Sequence, residues 1–420
     1  MAMTPAPEQI STQCCIVGGG PAGMMAGFLL ARAGVDVIVL EKHADFLRDF
    51  RGDTVHPSTL EVMRELGLLE SFLKRPHQEL RQIRAQVGKF NVMVGDFSHL
   101  PTACKFAVLM PQWDFLNFLA EQGRHLATFH LRMETEAVDL IQENEVVRGV
   151  RARTSRGPID IRADLVIAAD GRHSVLRQKA RFEVKVLGAP IDVLWMRISR
   201  KPEDPKQVLG RVNPGTFLVT LDRGDYWQCA FVIPKGGIDR VWAQGLDRFR
   251  AEIAGNAPFL SDRVHELQSW DDIKLLSVAV DRLHRWHRSG LLCIGDSAHA
   301  MSPIGGVGIN LAIQDAVAAA NILASAFGNG GPRESLLREV QRRRMFPTRA
   351  TQRLQILIQN RILAPTLKST KPIESLPWLL KLLNSWPVLL RIPARIIGVG
   401  FRPEHIKTIA APQGPVAVRT

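Results

Sequence analysis

Residues 14–41 read CCIVGGGPAGMMAGFLLARAGVDVIVLE, a succession of residue types that spells strand, tight turn, helix, strand. An apolar run, Cys14 to Val17, enters Gly18-Gly19-Gly20-Pro21-Ala22-Gly23. An apolar helical segment follows, and Gly34 leads into a second apolar run ending at Leu40. The glycine spacing assigns separate tasks: Gly18 permits the turn, Gly20 lets the backbone approach a pyrophosphate, and Gly23 lets helix and strand pack closely. The helix opened by Pro21 and Ala22 then offers its N-terminal amides and dipole to phosphate charge. Glu41 closes the second strand about 20 residues on, where an acid accepts ribose hydroxyls and repels a 2′-phosphate. Lys42 beside it is a further candidate cofactor-binding residue. The stretch points to FAD or NAD rather than NADP.

Working outward, 420 residues with 46% hydrophobic content suffice for a large core and two domains. The formal charge of +13 suits anionic partners in principle, but the cations are spread and a single tyrosine offers no stacking platform. A solvated basic face, including Arg342-Arg343-Arg344, is the expectation, with no nucleic acid as partner. Five cysteines without bridge or metal spacing (Cys14, Cys15, Cys104, Cys229, Cys293) read as reduced core residues of a cytoplasmic protein, with no metal site. The first twelve residues lack the basic and apolar regions of a cleaved signal.

After Glu41 comes a charged, irregular segment with Arg48 and Arg51, then Pro57-Ser58-Thr59-Leu60-Glu61. Ser58 and Glu61 match a capping box, so a helix is expected from there to about Leu66, stopped by Gly67. An arginine ahead of that helix either faces bound phosphate or is a surface residue. Residues 81–87 and 105–109 alternate like strands of a half-exposed sheet, and Gln112 opens another helix. Strand-like runs near 129–131, 137–140 and 146–150 precede an apolar run ending in Asp170-Gly171, which reads as a buried parallel strand meeting a ligand at its carboxyl end.

Residues 190–285 change character: strand runs, Pro/Gly turns, and Trp195, Trp227, Trp242 and Trp270 suggest an antiparallel second domain. Aromatic strand faces there are either core or the wall of an apolar pocket. The chain returns to a strand at Leu291–Ile294, then Gly295-Asp296, a loop through His299 and Pro303, and Gly305-Gly306-Val307-Gly308-Ile309-Asn310 before an alanine-rich helix to about Phe327. Amides at that helix start could hold an anionic or electron-rich ring edge, while His299 reads as a residue placed by a packed loop. From Arg338 onward, helical segments are expected to break at Pro347, Pro365, Pro377, Pro387 and Pro393. The apolar, Trp-bearing, basic tail either docks on the core or touches a membrane surface.

Taken in order, these motifs resemble the flavoprotein monooxygenases of the p-hydroxybenzoate hydroxylase type, the class A aromatic hydroxylases. The resemblance rests on Gly18–Gly23 with Glu41, on Asp170-Gly171, and on Gly295-Asp296 with its Pro303 loop. It implies an α/β fold: a Rossmann-like FAD-binding domain with a parallel sheet (1–80, 111–180, 286–335), a mainly antiparallel β substrate domain (81–110, 181–285) and C-terminal helices (336–420). It places Arg51 at the pyrophosphate and ribityl chain, Gln112 at the ribityl chain and Val138 beside the adenine ribose. Asp170 falls on a motif serving both FAD and the nicotinamide cofactor, and Asp296 on a ribityl hydroxyl. Pro303 comes near the reactive flavin carbon, and the amides of Ile309 and Asn310 meet the ring's carbonyl edge.

The chemistry implied is hydroxylation of an apolar, aromatic or phenolic small molecule. NADH or NADPH and O2 are consumed, through a peroxide formed from reduced FAD, in a monomer or homodimer. This fits the lack of a Ser-His-Asp set, metal spacing or paired carboxylates. The W-x-W-x-I-P pattern of flavin halogenases is not met by Trp227-Gln228-Cys229-Ala230-Phe231-Val232-Ile233-Pro234. Three alternatives stay open: a quinone-precursor or lipid hydroxylase at a membrane, a prenyl reductase working without oxygen, and a non-catalytic flavin-binding protein.

Overall fold

The computed structural model describes residues 8–47, 54–205 and 210–412. The larger of two main sheets has eight strands. Its parallel strands lie in the order Leu291–Cys293, Gly157–Ala168, Glu8–Val17, Val37–Leu40, Phe129–Arg132. His287–Arg288 adds antiparallel at one edge, and Glu136–Glu143 and Val146–Thr154 add antiparallel beside the first half of Gly157–Ala168. Successive strand residues point to opposite faces. Cys14, Cys15 and Ile16 are all fully buried, so both faces of this sheet are covered, which is why its central strands read as continuous apolar runs.

Register aligns the strand ends. Leu40 pairs with Val17, Val17 with Ala168, and Ala168 with Cys293. Four parallel strands therefore finish level, and at about 4.8 Å per strand the loops that follow emerge along a line of about 14 Å. Open α/β sheets bind ligands outside such carboxyl ends.

The second sheet has seven strands, in the order Lys274–Leu276, Ile191–Ser199, Tyr226–Pro234, Thr216–Asp222, Gly210–Asn213, Gln82–Val87, Phe90–Asp96. All its pairings are antiparallel except that between Gly210–Asn213 and Gln82–Val87. One face buries Leu194, Met196, Trp227 and Phe231 against Phe249 and Ile253 of the helix Leu246–Asn256. The opposite face carries Ile191, Val193, Ala230 and Val232, packed with Ile304 and Leu363. The tryptophans divide accordingly: Trp227 and Trp270 pack on the helix-covered face, Trp195 lies on the other, and Trp242 is exposed.

Three expectations are corrected. The helix after Arg51 spans Pro57–Glu65 with His56 at its N-cap, so Ser58 lies inside the helix and makes no capping box. Glu61 instead pairs with Arg64 and accepts the Ala103 amide; Pro57, suited to the first helical position, moved the start. Ala107–Leu109 does not join the seven-stranded sheet but pairs with Thr54–Val55 and Gln78–Leu80 in a third sheet. Finally, Pro347, Pro365 and Pro393 do not break helices: Glu334–Ile358 runs through Pro347 and continues by a π turn, Gln359–Leu363, into Ala364–Lys368, which holds Pro365, and Arg391–Gly398 contains Pro393. Burial of Arg344, Pro347, Thr351, Gln352 and Gln355 on one face outweighs a proline penalty of about 3 kcal/mol.

The tail docks along the outer strand Phe90–Asp96. Asn384, in the helix Trp378–Ser385, accepts the Met93 amide at 3.0 Å and donates to the Met93 carbonyl, covering part of an otherwise open sheet edge. One helical stretch, Ile304–Asn329, is apolar and long enough to cross a bilayer, but 72% of its most apolar window is buried within the fold. It is a core element.

Candidate functional site

At the fingerprint turn Gly18 has φ +110°, and a Cβ there would lie 2.3 Å from the Ala169 carbonyl oxygen and 2.9 Å from Asp170 Cα. The turn thus sits directly against the Asp170 strand end. A Cβ on Gly23 would meet the Gly18 carbonyl oxygen at 1.9 Å, whereas one on Gly20 would find no atom within 4 Å. The close packing falls at Gly23, and Gly20 borders open space. The helix Pro21–Arg32 that starts here has no side-chain cap and no acid in its first turn, so its leading amides and positive dipole end are available to an anion. Glu41 accepts the Gly19 amide at 3.1 Å and the His43 amide at 3.1 Å, bracing the loop as well as facing it. Lys42 is exposed.

Asp170 accepts the Leu176 amide through Oδ2 at 3.2 Å, while Oδ1 is buried and has no partner among the described residues. Burial raises its carboxyl above the ordinary range, only partly offset by bonds from Ser174 and Leu176. Gly171 takes φ +81°, and a Cβ there would meet nothing. The guanidinium of Arg177, itself buried, ties this turn to the next loop by reaching the Arg172 carbonyl, Asp281 Oδ1 and the Ser297 carbonyl.

Gly295 has φ +61°, and a Cβ on it would lie 3.0 Å from Ala22 Cβ and 3.2 Å from Ala312 Cβ. This loop is therefore wedged between the two glycine-started helices. Asp296 is partly exposed, 3.8 Å from the Arg172 guanidinium. Underneath, Asp315 accepts the Gly295 amide at 3.1 Å, His299 Nε2 lies 2.6 Å from the same oxygen, and Arg344 Nε donates to the other at 2.9 Å. Burial opposes ionisation of Asp315, yet His299 and Arg344 hold its carboxyl below the usual range. His299 is thus a packed residue, its ring tilted against Trp286 with centroids 4.9 Å apart. Arg344, expected on a solvated face, is buried, and only Arg342 and Arg343 of that run are exposed.

Beyond Pro303 the helix Gly308–Leu323 begins with no side-chain cap and no acid in its first turn. The Asn310 side chain is fully used: Oδ1 accepts from the His56 amide and Thr59 hydroxyl, and Nδ2 donates to the Thr54 and Gly306 carbonyls. Those bonds pin the loop, so what Ile309 and Asn310 can offer a ligand is the first-turn backbone N–H. Gln112 opens the helix Gln112–Gly123, and Val138 sits half-buried in Glu136–Glu143. Arg51, with Arg48, lies outside the described residues.

Gly20, Asp170 and Asp296 are thus brought to one edge of one sheet. Sequence reading missed the supports beneath them: Asp315, a lone carboxylate within an apolar helix, and Gln352, Gln355 and Gln359, polar residues at helical spacing, were the legible signals. The residues fit a flavin dinucleotide on three structural observations: open space at Gly20, an orphaned buried carboxylate oxygen on Asp170, and two uncapped helices whose N-terminal turns flank the Gly295 loop.

The family model described as FAD binding domain matches residues 11–354, which include all three motifs. The chain is 32% identical over 371 residues to 6-methylpretetramide 4-monooxygenase of Streptomyces rimosus, covering 86% of this chain and 87% of that one. The chain belongs to the FAD-dependent monooxygenases of the p-hydroxybenzoate hydroxylase type. FAD is the cofactor of this flavoenzyme. It is also 26% identical to an uncharacterised aromatic compound monooxygenase of Bacillus subtilis, over 76% of this chain and 63% of that one, so it spans less than two thirds of that relative. Among solved structures, OxyS anhydrotetracycline hydroxylase from Streptomyces rimosus shares the fold with a TM-score of 0.73 at 21% identity, over 93% of this chain and 76% of that one.

Proposed function

We propose that this flavoenzyme consumes NADH or NADPH and O2 to hydroxylate an apolar aromatic or phenolic small molecule held between the flavin ring and the second sheet. The observation that carries the reading is the apolar face of that sheet, where Ile191, Val193, Ala230 and Val232 close onto Ile304, the neighbour of Pro303. When bound, FAD supplies the redox and oxygen-activating chemistry that no side chain here provides. The chain's own part is to bind and enclose. Gly20 and the amides after Pro21 take the pyrophosphate, Glu41 and Val138 border the adenine ribose, and Asp170 and Asp296 hold the middle of the cofactor, with Gln112 and Arg51 assigned to the ribityl side. Amides at Gly308, Ile309 and Asn310 face developing negative charge on the ring, and the apolar sheet excludes water.

In this reading segments 1–80, 111–180 and 286–335 form the FAD-binding domain, and the seven-stranded sheet forms the substrate domain. The relatives' names support an aromatic substrate: one acts on 6-methylpretetramide, and the other is an aromatic compound monooxygenase. The five cysteines are all buried free thiols, which suits a reducing compartment such as the cytoplasm. The test is FAD retention and substrate-stimulated NAD(P)H oxidation across a panel of aromatics. Asp296→Ala is expected to weaken FAD binding, and unchanged flavin content in that variant counts against the site. FAD-loaded protein that no aromatic stimulates overturns the activity.

One observation favours a lipid-surface version of the same chemistry. Trp378, Leu379, Leu382, Trp386, Val388 and Ile392 are all exposed on the tail. Between residues 369 and 400 the chain carries Lys371, Lys381, Arg391 and Arg395 against the single carboxylate Glu374. An apolar ridge rimmed by cations suits an anionic bilayer surface, whereas self-association by a two-fold axis would bring like charges together.

A further inference from the structure

The loop 299–303, which carries Pro303, contains no helix or strand of its own. Its backbone polar groups are buried and need partners. They find them on one face of the long C-terminal helix and its π turn, where Gln352, Gln355 and Gln359 are 0%, 3% and 0% exposed. Spacings of three and four residues put the three side chains in one row. Gln352 donates to the Ala300 carbonyl at 3.1 Å and the Asp281 carbonyl at 2.7 Å, and accepts from Arg282 at 3.0 Å. Gln355 accepts the Ser302 amide at 3.1 Å and donates to the Ser302 and Ile304 carbonyls, both at 2.9 Å. Gln359 donates to the Ser302 hydroxyl at 2.7 Å, and that oxygen also receives the Ile304 amide at 3.3 Å.

Gln355 therefore does for Ser302 what a neighbouring strand would do, satisfying both its N–H and its C=O. Leucine or methionine would bury the same surface without the cost of desolvating an amide. Three amides in one row are explained by a loop backbone that must be gripped at fixed points. The gripped loop bears Pro303 and Ile304, between the Asp296 turn and the start of the helix Gly308–Leu323. We infer that Gln355, flanked by Gln352 and Gln359, is a positioning residue that sets the height of the Pro303 loop against the flavin ring and so governs how well the ring is shielded from solvent. The inference rests on the placement of the ring at Pro303–Asn310 proposed above.

The experiment uses the FAD-loaded full chain and needs no substrate. In Gln355→Met, which loses all three bonds to the loop, the flavin stays bound, its visible absorption bands shift, and reoxidation of the photoreduced protein by O2 quickens by about tenfold. Gln355→Glu keeps the length and the acceptor for the Ser302 amide but loses both donors, and shifts the bands the same way. Gln359→Met touches the loop only through the Ser302 hydroxyl, and supplies the readout if the Gln355 variants do not fold. Leu337→Ala, in the same helix but outside the row, lowers the melting temperature and leaves the flavin bands alone. Glutamine variants that melt early while keeping wild-type bands and reoxidation overturn the inference. Asp296→Ala measured alongside separates the two levels. If it keeps FAD affinity, the cofactor placement fails. If it loses FAD while the glutamine variants look wild type, only the positioning role fails.

Discussion

Substituting Gly20 by alanine separates the ligand-binding glycine from the structural ones. Gly20 has φ −76° and ψ −178°, a conformation open to any residue, and an added Cβ meets no protein atom within 4 Å. Alanine narrows the unfolded ensemble, worth about 0.4–1 kcal/mol in favour of folding, and is a poorer N-cap than glycine by a similar amount. The apoprotein should therefore keep its stability to within about 0.5 kcal/mol. The methyl group instead enters the space assigned to the pyrophosphate. Overpacking there at about 1–3 kcal/mol weakens FAD binding by about 5- to 150-fold. Gly23→Ala behaves oppositely: its Cβ would stand 1.9 Å from a backbone oxygen, so the apoprotein itself is damaged. The assays are thermal unfolding of both apoproteins and FAD titration followed by flavin fluorescence. A Gly20→Ala protein that binds FAD as tightly as wild type refutes the route of the phosphates past this residue.

A pH effect follows from His56, whose Nδ1 lies 2.6 Å from the Ile397 carbonyl and whose burial lowers its pKa from 6.5 to about 4 against the help of carbonyl bonds. The folded protein then binds fewer protons than the unfolded chain between these values, so stability is flat above pH 6.5 and falls as pH drops toward 4. The full loss is about 3.5 kcal/mol, at about 1.4 kcal/mol for each pH step between the two values; His56→Gln should flatten that slope in urea unfolding, and an unchanged slope would dismiss His56 as its source. For the tail, wild-type protein is expected to co-sediment with phosphatidylglycerol vesicles at low salt and not with phosphatidylcholine, and Trp378→Ser with Trp386→Ser to abolish it. Equal recovery of the double variant would reject the lipid surface.

The crevice was legible because each motif announces its own backbone need. Gly18, Gly20 and Gly23 differ in what a side chain would strike, and Asp170-Gly171 and Gly295-Asp296 end apolar strands whose level register the sequence cannot show but whose class it implies. The two sheets followed from continuous against alternating apolar patterns. What escaped depended on partners distant in sequence. Ser58 and Glu61 have capping-box spacing, but Pro57 and the Asn310 side chain, more than 250 positions away, settle where that helix starts. Pro347 reads as a breaker until the buried face around it is known. Arg344 looks like its exposed neighbours because nothing local reveals that Asp315 and Glu404 await it.

Asp315 shows how the site is held from beneath. A carboxylate with no exposed surface, the one acid in a helix made mostly of Leu, Ile, Val and Ala, carries a desolvation cost that several partners must offset, and a well-packed apolar residue would often serve stability as well. Its carboxyl nonetheless stays below the ordinary range, so His299 and Arg344 prevail over burial. The reason for keeping a charge there lies in Gly295. At φ +61° this residue sends its amide inward, away from any strand partner, and Asp315 Oδ2 is the acceptor that receives it. One carboxylate therefore fixes the turn that presents Asp296, while Arg344 carries the same constraint to the Gln355 helix. The support of the Asp296 turn and that of the Pro303 loop converge on a single element, and a change in how that helix seats would move both loops together.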